Sequence, residues 1–191
     1  YLSGGSAGAA FTNKFVELGN PTDSPVSVDG WSVQYRAGTS TGAPAVGKLA
    51  GSVPAHGTYL VQMGSNGTNG EALPEPDAVT GLNPSGSTGT LVLSDQATAL
   101  SLPAGAVTTG TPGVVDLLGY GTSNTFETAA ATPPTGNTDV KSLNRTDGKD
   151  TDDNKADFSL SATITPQNTG GTDPGTDPGT GSDGDQINLR F

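Results

Sequence analysis

The sequence predicts an all-β sandwich, and three observations point to it. The first is a pair of short alternating runs near the start of the chain, Phe15-Val16-Glu17-Leu18-Gly19 and Trp31-Ser32-Val33-Gln34-Tyr35, with the turn former Asn20-Pro21 between them. In the second run the large apolar groups fall on every other position around the only tryptophan, so one face packs inward while Ser32 and Gln34 are expected to face water. The second observation is composition: 29 glycines and 14 prolines among 191 residues, with only 14% charged positions, describe a chain dense in turns. The third is the lack of a long helical pattern, since the best candidate, Phe126 to Ala131, runs into Pro133-Pro134 and has room for a turn or two. This length suffices for one such domain with a sizeable core and is too short for that domain plus an ordinary enzyme.

In chain order, strands are expected near residues 14–19, 31–36, 58–63, 89–94, 114–120, 140–145 and 157–164, divided by Gly, Pro, Asn and Asp at the spacing of a sandwich. Leu91, Val92 and Leu93 place apolar groups on both faces, as in a strand covered on both sides. Phe158, Leu160, Ala162 and Ile164 alternate with Ser159, Ser161 and Thr163, which reads as a late, half-buried strand. Regions 37–52 and 64–88 read as surface loops with short ordered pieces. The expected core is Phe15, Leu18, Trp31, Val33, Tyr35, Leu60, Leu91, Leu93, Leu117, Leu143, Phe158 and Leu160.

After Thr165 the character changes. Thr172-Asp173-Pro174-Gly175 is repeated as Thr176-Asp177-Pro178-Gly179 in a segment almost free of apolar groups, a composition that cannot bury a core and reads as a linker. The chain then closes on Gln186-Ile187-Asn188-Leu189-Arg190-Phe191, with strict alternation and apolar groups at 187, 189 and 191. The expected division is a sandwich over 1–165, a linker over 166–185 and a strand over 186–191.

The Phe15-Val16-Glu17-Leu18-Gly19-Asn20-Pro21-Thr22-Asp23 turn and the Gly30-Trp31 strand are accompanied by Pro54-Ala55-His56-Gly57-Thr58-Tyr59-Leu60-Val61. With the late run from Ser142-Leu143-Asn144-Arg145 to Asp150-Thr151-Asp152-Asp153-Asn154-Lys155-Ala156-Asp157-Phe158, they resemble the bacterial branch of the lamin-tail domain over residues 1–165. The resemblance implies an immunoglobulin-like sandwich in a secreted protein, a module that accompanies other domains and carries no known chemistry of its own. In that family an apolar strand precedes the Gly/Ser/Ala loop found here at 3–10, so the resemblance also implies that the first strand is mostly missing ahead of Tyr1. A sandwich short of a strand leaves an unpaired ladder and an apolar slot, which another strand can fill. Residues 186–191 have the pattern to do so, with Ile187, Leu189 and Phe191 in the core and Gln186, Asn188 and Arg190 outward, in the same molecule or in a neighbouring copy.

The chain carries a net charge of -11 with no cluster of Lys and Arg, a field that opposes nucleic-acid binding. With no cysteine, disulfides, thiolate metal sites and thiol nucleophiles are excluded. No apolar run is long enough for a membrane-spanning helix, and Tyr1-Leu2-Ser3-Gly4-Gly5 lacks the features of a signal peptide, as expected of a processed, exported form. His56 is the only histidine and sits in a turn, where a surface role outweighs a catalytic one; no Gly-x-Ser-x-Gly elbow appears in a strand-to-helix context, and glycine-rich stretches such as 3–8 lack the Gly-Lys-Ser/Thr ending of a phosphate loop. Asp150, Asp152 and Asn154 alternate within an acidic run and could converge on Ca²⁺, the one candidate cofactor, although the run lacks EF-hand spacing and short Asp and Asn side chains also cap turns. Trp31, Tyr35, Tyr59, Phe15 and Phe158 would form a sugar-binding platform if exposed and a core if not. Asn66-Gly67-Thr68 and Asn144-Arg145-Thr146 fit the glycosylation acceptor pattern.

The expected function is that of a secreted or cell-surface, non-enzymatic structural or binding module, assembling with copies of itself into a fibre through the C-terminal strand. The alternatives are an accessory domain of a larger secreted nuclease or phosphatase-type hydrolase, and an adhesion module for carbohydrate or another cell-wall component.

Overall fold

The alternating runs become strands. The computed structural model describes residues 1–107, 110–170 and 187–190, with Arg190 described by its backbone alone. In chain order the strands are β1 (Phe15–Gly19), β2 (Val26–Ser27), β3 (Ser32–Ala37), β4 (Ala45–Lys48), β5 (Ser52–Val53), β6 (Thr58–Gln62) and β7 (Ala78–Val79). They continue with β8 (Gly89–Ser94), β9 (Gly105–Ala106), β10 (Val114–Tyr120), β11 (Thr125–Phe126), β12 (Ser142–Arg145), β13 (Phe158–Ser161) and β14 (Asn188–Arg190). Helix among the described residues is confined to a 3-10 turn at Thr146–Gly148 and one turn of α-helix, α1 (Asn154–Asp157), so the class is all-β.

Two four-stranded sheets carry the molecule, in the orders β14-β1-β6-β7 and β10-β8-β3-β4. Val16, Leu18, Tyr59, Val61 and Leu189 of the first sheet meet Val33, Leu91, Leu93, Leu118 and Tyr120 of the second in one shared core. This is the arrangement of a sandwich, with period-two side chains from two inner faces interlocking. Both outer faces are partly covered as well. Val92 and Leu117 pack with Leu100 and Val107 on one side, and Phe15 and Leu60 pack with Tyr1 on the other. That double covering is why every residue of β8 is buried.

Several expectations need correction. Ser32 and Gln34 do not face water: the Ser32 hydroxyl donates to Gln96 O at 2.5 Å, while Gln34 donates to Thr98 O at 2.9 Å and accepts from Leu100 N at 2.9 Å. The segment after β8 crosses that face, and the two polar side chains hold its backbone. Trp31 is only partly buried because it lies in the turn ahead of β3, its N–H donating to Val28 O. Tyr35 and Leu160 are half-buried too, the Tyr35 hydroxyl reaching out to accept from Ser85 N. Phe126 belongs to β11, paired parallel to β9, rather than to a helix. The short ordered pieces expected within the loop stretches are β4, β7 and the start of β5. The late strand ends at Ser161, and Ile164 packs outside against Tyr1, Phe15 and Leu60.

Packed chain continues past 165. Gln167 N donates to Glu17 Oε1 at 2.6 Å, Thr58 Oγ1 donates to Asn168 O at 3.3 Å, and Thr169 N donates to Asp77 Oδ2 at 3.0 Å. Residues 171–186, most of the expected linker, and Phe191 lie outside the described residues.

Candidate functional site

The most built feature of the molecule is the slot beside β1. β14 lies in it antiparallel, with Gly19 opposite Asn188, Leu18 opposite Leu189 and Glu17 opposite Arg190. Ile187 and Leu189 are 2% and 0% exposed and belong to the shared core, so alternation places them as the sequence predicts. Asn188 points to the other face yet is buried, its amide donating to Gly148 O at 3.4 Å. Gln186 and Phe191 lie outside the described residues.

β14 is the end strand of its sheet, and an end strand presents unpaired N–H and C=O groups. Here side chains meet them. Leu189 N donates to Asp116 Oδ2 at 2.5 Å, and Leu189 O accepts from Arg145 Nε at 3.2 Å. Both groups therefore point away from β1, which makes Leu18 and Leu189 a non-hydrogen-bonded pair, the kind with the closer side chains.

The clamp is a buried ion pair held from several sides. Asp116 sits on β10 just after a shift in its register with β8, a bulge of the kind that re-aims a side chain. Arg145 ends β12. Its Nη2 lies 2.7 Å from both carboxylate oxygens of Asp116, its Nη1 lies 3.1 Å from Asp150 Oδ1 and donates to Lys149 O at 3.2 Å, and the guanidinium stacks 4.5 Å from the centre of the Phe158 ring. The two side chains are 0% and 1% exposed. Burial pushes the Asp116 carboxyl up to about 6, opposed by Arg145. Against the same burial, Asp116 and Asp150 hold Arg145 above its ordinary value, so the pair is ionised at neutral pH.

A third carboxyl stands close by. Oxygens of Asp116, Glu127 and Asp150 lie within 4.8 Å of one another, and burial, with the charges of Asp116 and Asp150, drives Glu127 up to about 9. It is protonated at neutral pH. Arg145 already supplies the positive charge among these groups, so the cluster is complete as a set of side chains.

The residues considered for Ca²⁺ have the following surroundings. Asn154 is buried and uses all four amide positions: Oδ1 accepts from Gly119 N and Glu127 N, and Nδ2 donates to Leu117 O and Glu127 Oε2. Gly119 has to be glycine there, since a Cβ would lie 2.2 Å from Thr125 O. Asp150 Oδ1 accepts from Asp152 N as well as facing Arg145, and Asp153 caps α1 by accepting from Lys155 N and Ala156 N. His56 pairs with Asp23 at the surface, 2.7 Å away. Of the five aromatic residues considered for a platform, Phe15, Tyr59 and Phe158 are buried and Trp31 and Tyr35 partly so.

Asp116 and Arg145 are the site residues that sequence reading misses. The available signal is Asp116 within Val114-Val115-Asp116-Leu117-Leu118, because a lone charge in a strand buried on both sides requires a partner. Its pairing with Arg145 across 29 positions is a product of the fold. Among the described residues no helix is long and apolar enough to cross a membrane. Comparison with protein-family models, curated proteins and solved structures gave no match to this chain.

Proposed function

We propose that this chain is a secreted, non-enzymatic structural module of lamin-tail type, an immunoglobulin-like sandwich completed by its C-terminal strand, and that copies assemble by passing that strand from one to the next. The observation that carries the reading is the slot. It offers apolar seats to Ile187 and Leu189, and a charged clamp to the free N–H and C=O of Leu189. Such a slot recognises an extended strand by backbone and alternate side chains together, the logic of strand addition. The occupant hangs on a long tether, with 17 residues from Gly170 to Gln186. Asn168 is bonded to Thr58, and Thr58 stands one strand beyond Gly19 from Asn188, so the direct gap is about 10 Å. The tether can reach about 60 Å. Closure within one molecule is therefore favoured at micromolar concentration, where a tether provides a millimolar effective concentration, and exchange dominates when copies are crowded to that level. Donation of this kind is head-to-tail and propagates into a fibre.

The test uses the lack of native cysteine. A Leu18→Cys chain and a Leu189→Cys chain are mixed at millimolar concentration and then oxidised, the non-hydrogen-bonded pair giving the short separation that a disulfide needs. Disulfide-linked pairs joining the two kinds of chain are expected. Their absence, while one chain bearing both cysteines oxidises within itself, would sink exchange between copies.

A further inference from the structure

Tyr1 and β14 lie along the same edge of β1. The pairing of β14 with β1 runs Gly19 to Asn188, Leu18 to Leu189 and Glu17 to Arg190. Continued in the same register, the next seat lies opposite Val16 and the one after it opposite Phe15. Tyr1 occupies the seat opposite Phe15: its amine donates to Phe15 O at 2.8 Å, and its carbonyl accepts from Phe15 N at 3.0 Å.

The phase of the ladder agrees. Antiparallel pairs alternate between bonded and non-bonded. Leu18 with Leu189 is non-bonded, because Leu189 turns its N–H and C=O away, so the pairs of Glu17 and Phe15 fall on the bonded positions, where Tyr1 is found. Facing agrees as well. Ile187, Leu189 and Leu2 point into the shared core, while Tyr1 joins Phe15 in the outer cluster. One seat, opposite Val16, separates Arg190 from Tyr1. The Tyr1 amine is enclosed as a strand N–H would be, and burial lowers it to about 5 despite the charge of Glu17.

We infer that the C-terminal strand and any residues joined ahead of Tyr1 are alternative occupants of one site, each able to form the same strand beside β1 and each excluding the other. A residue attached to the Tyr1 nitrogen takes the seat opposite Val16, and the residues before it continue along the seats opposite Glu17, Leu18 and Gly19, which β14 fills. An N-terminal extension of suitable pattern thus releases the C-terminal strand and makes it available to a second copy. The inference rests on the slot proposed above as the assembly site, but not on exchange between copies.

The test adds Gln-Ile-Asn-Leu-Arg-Phe ahead of Tyr1 of the full chain and follows amide hydrogen exchange in both copies of the segment, told apart by their flanks. The directly joined copy is expected to be protected and the C-terminal copy to exchange at least about tenfold faster than in the parent chain, since the latter acts through a long tether. In a second chain, with Asp in place of the added Ile and Leu, the C-terminal copy is expected to stay protected. Protection of both copies at once, an unprotected added copy beside a protected C-terminal one, or release by the Asp-bearing segment as well, overturns the inference. If displacement occurs but the cysteine chains never link, the shared site stands and assembly between copies falls.

Discussion

Arg145 touches the strand it helps to hold, the carboxylate that shares the task, and the Phe158 ring. Arg145→Met leaves Asp116 buried and unpaired and is expected to cost about 3–5 kcal/mol in chemical denaturation. Adding Asp116→Leu removes that stranded charge but leaves the Leu189 N–H and C=O without partners, so a deficit of about 1–3 kcal/mol per group should persist. Full recovery in the double variant would reduce the pair to an ordinary buried ion pair with no part in holding β14. Glu127 gives a pH signature. Its carboxyl titrates at about 9 in the folded chain against an ordinary 4.5, so between those values the folded state holds the extra proton and stability falls as pH rises. Glu127→Gln keeps an oxygen for the Asn154 amide and removes the titration, so the stability of wild type minus variant should decline across that window. The difference is the proper measure, because the Tyr1 amine, lowered from 8.0 to about 5, acts with the opposite sign between those values. A flat difference curve would place Glu127 in water.

At the scale of elements, β14 is short and is held by its seats. Deleting residues 186–191 removes two fully buried apolar side chains, each contributing about 1.5–3 kcal/mol, and opens the edge of β1. The truncated chain should unfold about 3–6 kcal/mol more easily, and the free peptide Gln-Ile-Asn-Leu-Arg-Phe should restore part of that loss. No change in the denaturation midpoint would leave the strand without a structural role. The main strands were legible because alternation of large apolar groups is local information: β8 appears over residues 89–94 as expected, and Ile187 and Leu189 carry the terminal strand in their spacing alone. Ser32 and Gln34 are not legible from local alternation, because the segment that covers them follows β8, more than 60 positions away in sequence. The clamp was hidden for the same reason. Alternation says which side chains turn inward, and nothing local says that Arg145 will meet Asp116.

For the whole molecule, the proposed assembly makes tether length the expected arbiter between closure and exchange. Removing residues 169–186 joins Asn168 directly to Ile187, so the chain from Asn168 to Asn188 can span only about 7 Å, less than the gap of about 10 Å it has to cross. That variant is expected to form oligomers at micromolar concentration in size-exclusion chromatography with light scattering, where the full chain is expected to run as a monomer. A folded monomer with Leu189 still protected from exchange would show that length does not govern the choice. One feature of the slot limits how such an assembly can grow. A strand added to a sheet ordinarily offers its far side as a template for the next, which is how sheets spread sideways into insoluble ribbons. The far side of β14 meets a carboxylate and a guanidinium that consume the Leu189 N–H and C=O and offer no ladder in return. In the proposed assembly each joint would therefore end its own sheet, lateral stacking would have no edge to start from there, and growth would be confined to a line, one tail per slot.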